Sequence, residues 1–131
     1  MIADFIKFFT KKGELVFDPM AGTGSTLVAC DKTKRKGVGI ELIKKWADIA
    51  ATRTRQLVIQ GDARKLKDLL ATVSISQVDF CITSPPYWSM LKKSRGHVFS
   101  LQKQRKAKGL DEYYSDNPND IGNIDDYKQF I

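Results

Sequence analysis

The chain has 131 residues, 42% of them hydrophobic, and a formal net charge of +7 at pH 7. This length allows one domain with a single core, and the apolar content excludes a disordered chain. The apolar runs are too short to span a bilayer and no signal peptide is recognisable, so we expect a cytoplasmic protein that does not enter a membrane. The positive charge favours a polyanionic partner.

Helix and strand patterns alternate from the amino terminus to about residue 83. Apolar residues at helical spacing predict a first helix that ends at Gly13, then helices over 25–33, 43–50 and 64–70. Apolar runs predict strands over 14–18, 36–41, 57–61 and 78–83. This alternation implies parallel strands with right-handed crossovers in an open, doubly wound α/β sheet. Ligands of such sheets bind at the carboxyl ends of the strands.

The two cysteines lie in regular elements, Cys30 in a helical pattern and Cys81 in a strand pattern, which predicts buried, reduced thiols. A metal site needs more ligands than these, and the only histidine is His97. We therefore predict no metal site.

The fourth predicted strand runs into a proline-rich motif, Thr83-Ser84-Pro85-Pro86-Tyr87-Trp88. Each proline fixes its own φ angle and holds the preceding residue extended, and neither carries an N–H, so the backbone carbonyls stay free to accept. Ser84 adds a hydroxyl and Tyr87 adds a flat face. Taken alone, the motif is either a holder for a planar group that carries an amine or an ordinary turn after a strand.

A glycine motif lies upstream, where an apolar strand from Val16 meets Asp18 and then a turn with Gly22 and Gly24. Glycines permit a tight turn and close approach of a ligand, and N–H groups at the helix start favour ligand oxygens. Leu27 stands where the dinucleotide fingerprint requires its third glycine, and no Gly-Lys-Ser/Thr follows. The motif is therefore neither that fingerprint nor a phosphate loop.

The two motifs together resemble the S-adenosylmethionine-dependent DNA amino-methyltransferases, with Asp-Pro-Met-Ala-Gly-Thr-Gly-Ser-Thr at 18–26 and Thr-Ser-Pro-Pro-Tyr-Trp at 83–88. These enzymes methylate N4 of cytosine or N6 of adenine. The resemblance implies a Rossmann-like, mostly parallel sheet in the order 3-2-1-4, which opens both motifs onto one crevice. The sheet is expected to be incomplete, because nothing after Trp88 reads as the family's further strands or its target-recognition region.

The resemblance also implies which residues hold S-adenosylmethionine. They are Asp18, Pro19, Met20, Ala21, Gly22, Gly24 and Thr26 of the glycine motif, Glu41 and Leu42 at the end of the second strand, and Asp62 and Ala63 after the third. In the family, the acid at the position of Glu41 accepts hydrogen bonds from the ribose hydroxyls of the cofactor. The acid at the position of Asp62 accepts from the adenine amino group. Without the larger motifs, each is more often an acid that caps the next helix.

The implied catalytic residues are Ser84, Pro85, Pro86 and Tyr87. The Ser84 hydroxyl and the Pro85 carbonyl would accept the N–H hydrogens of the attacking amine, and Tyr87 would stack on a base flipped out of DNA. Serine at the first of these positions is commoner in the N4-cytosine members of the family. We therefore favour N4 of cytosine over N6 of adenine.

The predicted catalytic core covers residues 1–91, and residues 92–131 form a segment of different character. Lys92 to Lys108 contains seven Lys or Arg residues and no acid, which suits either contact with the DNA backbone or a solvated loop. The absence of further strands leaves the edge of strand four unpaired, so we expect a homo-oligomer or a complementing chain there. The chain would then be a fragment or one half of a split enzyme.

Two other functions stay open at this point. One is methylation of RNA or of a protein glutamine, and the other is a non-catalytic or split subunit that needs a partner chain. Serine before the prolines and Trp88 after Tyr87 favour DNA.

Overall fold

A computed structural model gives the fold and describes residues 1–86, 107, 115–124 and 126–130. Its centre is a parallel sheet of four strands in the order β3-β2-β1-β4, which confirms the predicted α/β class and strand order. The strands are β1 (Leu15–Asp18), β2 (Lys36–Glu41), β3 (Leu57–Gln60) and β4 (Phe80–Cys81). The α-helices are α1 (Ile2–Phe9), α2 (Ser25–Thr33), α3 (Lys44–Arg53), α4 (Leu66–Thr72) and α5 (Tyr127–Phe130), and 3-10 helices cover Ala63–Lys65 and Ile121–Asn123.

The apolar core forms two clusters, one on each face of the sheet. Successive side chains of a strand point to opposite faces, so neighbouring residues of β1 enter different clusters. Val16 packs with Ile6 of α1 and Cys30 of α2. Phe17 packs with Leu70 of α4 and with the apolar residues of β2. Burial in this setting raises the pKa of the Cys30 thiol to about 11, and the thiol is buried as predicted.

The strand β2 alternates large apolar residues with glycines because α2 and the loop before it lie directly on one of its faces. A Cβ added to Gly37 would lie 3.0 Å from a methyl carbon of Leu27. A Cβ added to Gly39 would lie 2.7 Å from the Cβ of Ala21. Carbon atoms do not approach to 2.7 Å without displacement, so packing requires the glycine at position 39, whereas a Cβ at position 37 would need the Leu27 side chain to shift.

The first helix ends at Phe9, before the predicted boundary at Gly13. Thr10 takes an extended conformation, and both its N–H and its hydroxyl donate to the Ile6 carbonyl. The Arg35 guanidinium donates to the Thr10 carbonyl oxygen at 2.6 Å. These contacts satisfy the helix end at Thr10. Gly13 instead adopts φ +87 in the turn that leads into β1.

The strand β4 is shorter than the predicted 78–83 and pairs with β1 only at Phe80 and Cys81. The hydrogen bonds Asp79 N–H to Leu15 O (2.9 Å) and Ile82 N–H to Phe17 O (3.0 Å) flank this pairing. The ladder stops there because β1 turns into residues 19–24, which we call the glycine loop. The prediction that Cys81 is buried is wrong: its thiol is exposed, since β4 lies at the edge of the described sheet.

Tertiary contacts divide the chain into two compact units, Met1–Ser84 and Pro85–Ile131. In the described part of the second unit, the Asp120 carboxylate accepts from the Gly122 N–H at 2.9 Å and caps a 3-10 helix. The Ser115 hydroxyl donates to the same carboxylate at 2.7 Å. The predicted division after residue 91 stays a prediction, and so does the interpretation of the basic segment 92–108, which lies outside the described residues except for residue 107.

Candidate active site

The carboxyl ends of the strands carry the acidic residues that the sequence motifs singled out. At the end of β1, Asp18 is only 3% exposed. Its Oδ1 accepts a hydrogen bond from the Met20 N–H at 3.1 Å. This local contact closes an Asx-type turn and starts the glycine loop in a defined direction.

Backbone hydrogen bonds fix the glycine loop, one of them to β2 and one within the loop. The Ala21 N–H donates to the Ile40 carbonyl at 2.8 Å, and the Gly24 N–H donates back to the Ala21 carbonyl at 2.8 Å. Gly22 and Gly24 have φ angles of +53 and +81, a region that other residues enter only with strain.

The two glycines of the loop differ in their surroundings. A Cβ on Gly24 would lie 3.0 Å from the Cβ of Ala50 in α3, so this glycine serves packing between helices. A Cβ on Gly22 would meet no atom within 4 Å. The space over Gly22 is therefore open to a ligand.

Glu41 ends β2 and is 8% exposed. Its Oε2 accepts from the Gly22 N–H at 2.8 Å, and its Oε1 accepts from the N–H of Ile43, the residue that caps α3, at 2.8 Å. One carboxylate therefore joins the glycine loop to the start of the next helix. A carboxylate has about four acceptor positions, and the chemistry of its oxygens suits a hydroxyl donor.

Asp62 follows β3 and caps the 3-10 helix after it. Its Oδ1 accepts from the Arg64 N–H at 2.9 Å, and the Arg64 guanidinium contacts both carboxylate oxygens at 2.5 to 3.0 Å. Side-chain hydrogen bonds from Arg64 lower the pKa of Asp62. The Gly61 N–H donates to the Glu41 carbonyl at 2.9 Å, which holds the two acidic strand ends side by side.

The other predicted cofactor residues surround these acids. Pro19, Met20, Leu42 and Ala63 are partly buried, and Ala21 and Thr26 are buried. The Leu42 carbonyl accepts from the Gln60 side chain at 3.2 Å, so it is also tied to the end of β3.

The proline-rich motif begins beside the glycine loop, because β4 pairs with β1. The hydrogen bond from Ile82 to Phe17 places the carboxyl end of β4 next to Asp18. Ser84 is exposed at the end of the first unit. Pro85 is exposed and Pro86 is partly buried, whereas Tyr87 and Trp88 lie outside the described residues.

The motifs did not indicate Arg53, which braces the glycine loop from the last turn of α3. Its guanidinium donates to the Thr23 carbonyl at 2.6 Å and to the Thr23 hydroxyl at 2.8 Å. Thirty positions separate the two residues, and no local pattern of the sequence marks the contact. Only the tertiary structure, which brings Ala50 of α3 against Gly24 before α2, places the two residues together.

Neither a metal centre nor a membrane helix is found in the part of the chain that the structure describes. No three His, Cys, Asp or Glu side chains of residues 1–86, 107, 115–124 and 126–130 are grouped so that they could hold a metal ion. Within the same ranges, every helix is too short or too polar to cross a bilayer.

Known proteins resemble part of this chain in sequence. Residues 1–52 match a family model described as DNA methylase. The chain is 46% identical over 44 residues to the type II methyltransferase M.Cfr9I of Citrobacter freundii, an alignment covering 34% of this chain and 15% of the relative. It is 36% identical over 56 residues to the orphan methyltransferase M.BamHII of Bacillus amyloliquefaciens, covering 43% and 21%. The matched part thus spans about a fifth or less of these curated relatives.

Solved structures resemble it in fold. A TehB-like SAM-dependent methyltransferase from Corynebacterium glutamicum superposes with a TM-score of 0.53 at 18% identity, covering 72% of this chain and 48% of that one. A SAM-dependent methyltransferase from Thiobacillus denitrificans, solved with S-adenosyl-L-homocysteine, gives 0.51 at 19% identity and covers 84% and 43%. At these identities the likeness shows the fold alone, which is the Rossmann-like fold of S-adenosylmethionine-dependent methyltransferases.

The family match and the two relatives confirm the resemblance that the motifs predicted. Residues 1–52 thus resemble the DNA methylase family in sequence, and the chain shares the fold of the solved methyltransferases.

Proposed function

We propose that this chain binds S-adenosylmethionine and takes part in methylating an exocyclic amino group of DNA, N4 of cytosine in preference to N6 of adenine. The observation that carries the proposal is the adjacency at one edge of the sheet. The glycine loop, Glu41, Asp62 and the end of β4 before Ser84 all lie at the carboxyl ends of neighbouring strands. The names of the two curated relatives support methyl transfer.

The groups at this edge suit S-adenosylmethionine in their chemistry. The open space over Gly22 allows close approach to the loop backbone. The Glu41 carboxylate would accept from ribose hydroxyls, and the Asp62 carboxylate would accept from an adenine amino group. The buried Asp18 lies under the loop, where its negative charge favours a cationic ligand.

When bound, S-adenosylmethionine supplies a methyl group on a sulfonium sulfur for direct displacement. The exocyclic amine of a nucleobase is a weak nucleophile, because its lone pair is delocalised into the ring. The Ser84 hydroxyl and the Pro85 carbonyl would accept the amine N–H hydrogens and so stabilise the positive charge that develops on nitrogen. Alignment of the amine by these two acceptors supplies a further share of the rate enhancement.

The amine of a paired base is inaccessible in a duplex, so the base has to leave the stack. Base flipping costs a few kcal/mol, and stacking on an aromatic side chain offsets about 1–3 kcal/mol of it. Tyr87 is the residue we propose for this stacking. Serine at position 84 supports cytosine as the target base.

A second candidate is a subunit that is completed by another chain, and the edge strand favours it. Among the described strands, β4 pairs only with β1. We infer that a complementing chain or a second copy would pair with the opposite side of β4. A restriction-modification role would fit the type II name of one relative. Cytoplasmic location stays a prediction.

The proposal is tested by incubating the chain with isotopically labelled S-adenosylmethionine and unmethylated genomic DNA, then identifying the labelled nucleoside after digestion. Label in N4-methylcytosine is the expected result, and label in N6-methyladenine would overturn the base preference alone. Calorimetry with S-adenosylmethionine is run in parallel. A folded chain that binds the cofactor but transfers no label would favour the subunit, whereas transfer to RNA or protein would contradict the DNA assignment.

A further inference from the structure

Several exposed lysines lie at the amino ends of the strands, on the side of the sheet opposite the proposed methyl-transfer site. The proposed methyl transfer does not use these positive charges. Lys11 and Lys12 lie in the loop before β1, Lys34 lies in the connection from α2 to β2, and Lys36 is the first residue of β2. All four side chains are exposed. We refer to these four residues as the lysine edge.

Backbone pairing brings the two lysine pairs together. The Gly13 N–H donates to the Lys34 carbonyl at 3.0 Å, and the Lys36 N–H donates to the Glu14 carbonyl at 3.0 Å. The parallel register of β1 and β2 begins at the same place, with Leu15 opposite Lys36. Residues more than twenty positions apart therefore form one continuous surface.

The Arg35 guanidinium links the two lysine-bearing segments by hydrogen bonds. Its Nε donates to the Thr10 hydroxyl at 3.1 Å and another guanidinium nitrogen donates to the Thr10 carbonyl at 2.6 Å. A third nitrogen donates to the Thr33 carbonyl at 2.7 Å. One partly buried side chain thus joins the ends of both lysine-bearing loops, so the lysine backbones are positioned in advance of any ligand.

The conformation of Lys34 is unusual for its residue type. It caps the carboxyl end of α2 with φ +61, a position that helices commonly give to glycine. The helix dipole favours a cation there. That effect falls off within the last turn, so it accounts for Lys34 but not for Lys11, Lys12 and Lys36.

The charges around the lysine edge remain positive in sum. Segments 10–15, 31–36 and 54–56 together with residue 79 contain seven Lys or Arg and three carboxylates. Each carboxylate already accepts hydrogen bonds: Glu14 from the Lys11 N–H, Asp79 from the Leu15 N–H, and Asp31 from Thr54 and Gln56. Within the described ranges, the four lysines form no ion pair with a carboxylate.

We propose that the lysine edge binds the phosphate backbone of duplex DNA, independently of sequence and apart from the methyl-transfer site. Lysines neutralise phosphates as point charges, and segments 10–15 and 31–36 contain no aromatic residue on which a base could stack. Strands of four to six residues separate the two edges by roughly 13–20 Å. The contact therefore adds to whatever holds the target base.

The choice of DNA as the polyanion rests on the proposed function. An anionic membrane surface would also attract lysines, but exposed apolar anchors would be expected among them. The exposed Phe8 and Phe9 end α1 just before Lys11 and Lys12, so binding to vesicles is measured beside binding to DNA.

The test measures binding of the full chain to a fluorescent duplex of random sequence by anisotropy, at salt concentrations from 50 to 200 mM. Each phosphate contact contributes about 0.9 to the slope of log affinity against log salt. The double variant Lys34→Gln/Lys36→Gln is expected to reduce this slope by about 2. Its affinity at 50 mM salt should fall about tenfold or more. Lys11→Gln/Lys12→Gln should act similarly.

The matched control is Lys65→Gln/Lys67→Gln, which removes two exposed positive charges from the 3-10 helix after β3 and from α4. Equal losses in the control and in the lysine-edge variants would overturn the proposal, because net charge alone would then explain binding. If the lysine-edge variants lost affinity for vesicles containing anionic lipid while their DNA binding was unchanged, the surface would be assigned to membranes instead. Thermal melting verifies that each variant is folded.

Calorimetric binding of S-adenosylmethionine separates this inference from the proposed function. Cofactor binding and label transfer with an unchanged salt slope in the variants would defeat the lysine edge alone. A changed slope in a chain that binds no cofactor would defeat the proposed function alone.

Discussion

The two ends of the same parallel sheet differ in their charged side chains, with buried carboxylates at the carboxyl ends of the strands and exposed lysines at the amino ends. At the carboxyl edge, Asp18 and Glu41 are buried and their oxygens accept from backbone N–H groups of the glycine loop. At the amino edge, Lys34 and its neighbours are exposed, and Arg35 organises them through backbone carbonyls. Because the strands are parallel, the segments that precede them gather at one end of the sheet and the segments that follow them gather at the other. The two ends therefore form separate surfaces.

The largest expected effect lies where the carboxyl edge depends on close packing. Gly39→Ala places a Cβ 2.7 Å from the Cβ of Ala21, and neither backbone-linked atom can rotate away. We expect the free energy of unfolding to fall by about 3 kcal/mol, together with a loss of cofactor affinity. Urea denaturation measures the first and calorimetry the second. A variant as stable as the parent would show that the loop does not rest on β2.

Gly22→Ala is the matched control in the same loop. Its Cβ meets no atom within 4 Å, but its φ of +53 is strained for alanine, so we expect a cost of about 1 kcal/mol. Affinity for S-adenosylmethionine should fall more than stability does, because the added methyl group occupies the space reserved for the ligand.

Glu41→Ala removes the carboxylate that joins the glycine loop to α3. It leaves the N–H groups of Gly22 and Ile43 without their acceptor, for which we expect about 2 kcal/mol of destabilisation. Cofactor affinity should fall as well, and Glu41→Gln should recover part of the stability because it keeps one acceptor oxygen. Unchanged affinity in both variants, measured by calorimetry, would remove Glu41 from the proposed site.

Ser84→Ala tests the catalytic end of the same edge. We expect methyl transfer to fall about 10- to 100-fold, or ~1.4–2.7 kcal/mol of transition-state stabilisation, with cofactor affinity nearly unchanged. Initial rates with labelled cofactor give the first quantity and calorimetry the second. Loss of cofactor binding instead would contradict the division of labour between β4 and the glycine loop.

Lys34→Gly probes the amino edge, where function and stability should move in opposite directions. Glycine relieves the strain of φ +61 at the helix cap, so we expect the protein to gain about 1 kcal/mol. Affinity for duplex DNA should fall at the same time. Lys12→Gly, in the neighbouring loop, is the control, because it removes a positive charge at a residue that is not in the left-handed conformation. Lower stability in Lys34→Gly would count against the strain.

The smallest effect is expected at the pair of the partly buried Asp62 and the exposed Arg64. Arg64 lowers the pKa of Asp62, so the pair contributes stability above the ordinary aspartate pKa and loses it as pH falls through the lowered value. Both side chains are accessible to water, so the contribution to stability is small. Arg64→Gln should raise the pKa of Asp62 towards its usual range. An NMR titration of the carboxylate measures this, and an unshifted value would exclude Arg64 as the cause.

Local patterns were sufficient to predict most elements of the sheet. The apolar strands that end in Asp18 and Glu41, and the glycine turn between them, are visible because each signal lies within a few residues. The boundary of α1 was predicted wrongly, because Thr10 and Arg35 end the helix through contacts across 25 positions. Exposure of Cys81 was missed for a related reason, since burial of a strand depends on what lies beside it.

By itself, the amino-acid sequence determined the α/β class, the glycine loop and the acids at the strand ends. These features follow from periodicity and from the steric freedom of glycine, which are local properties. Only the tertiary structure decided that Arg53 braces the loop, that Glu41 binds Gly22, and that two distant lysine pairs share one edge. Such contacts join residues 19 to 30 positions apart, and the register between neighbouring elements sets them rather than any pattern within one element.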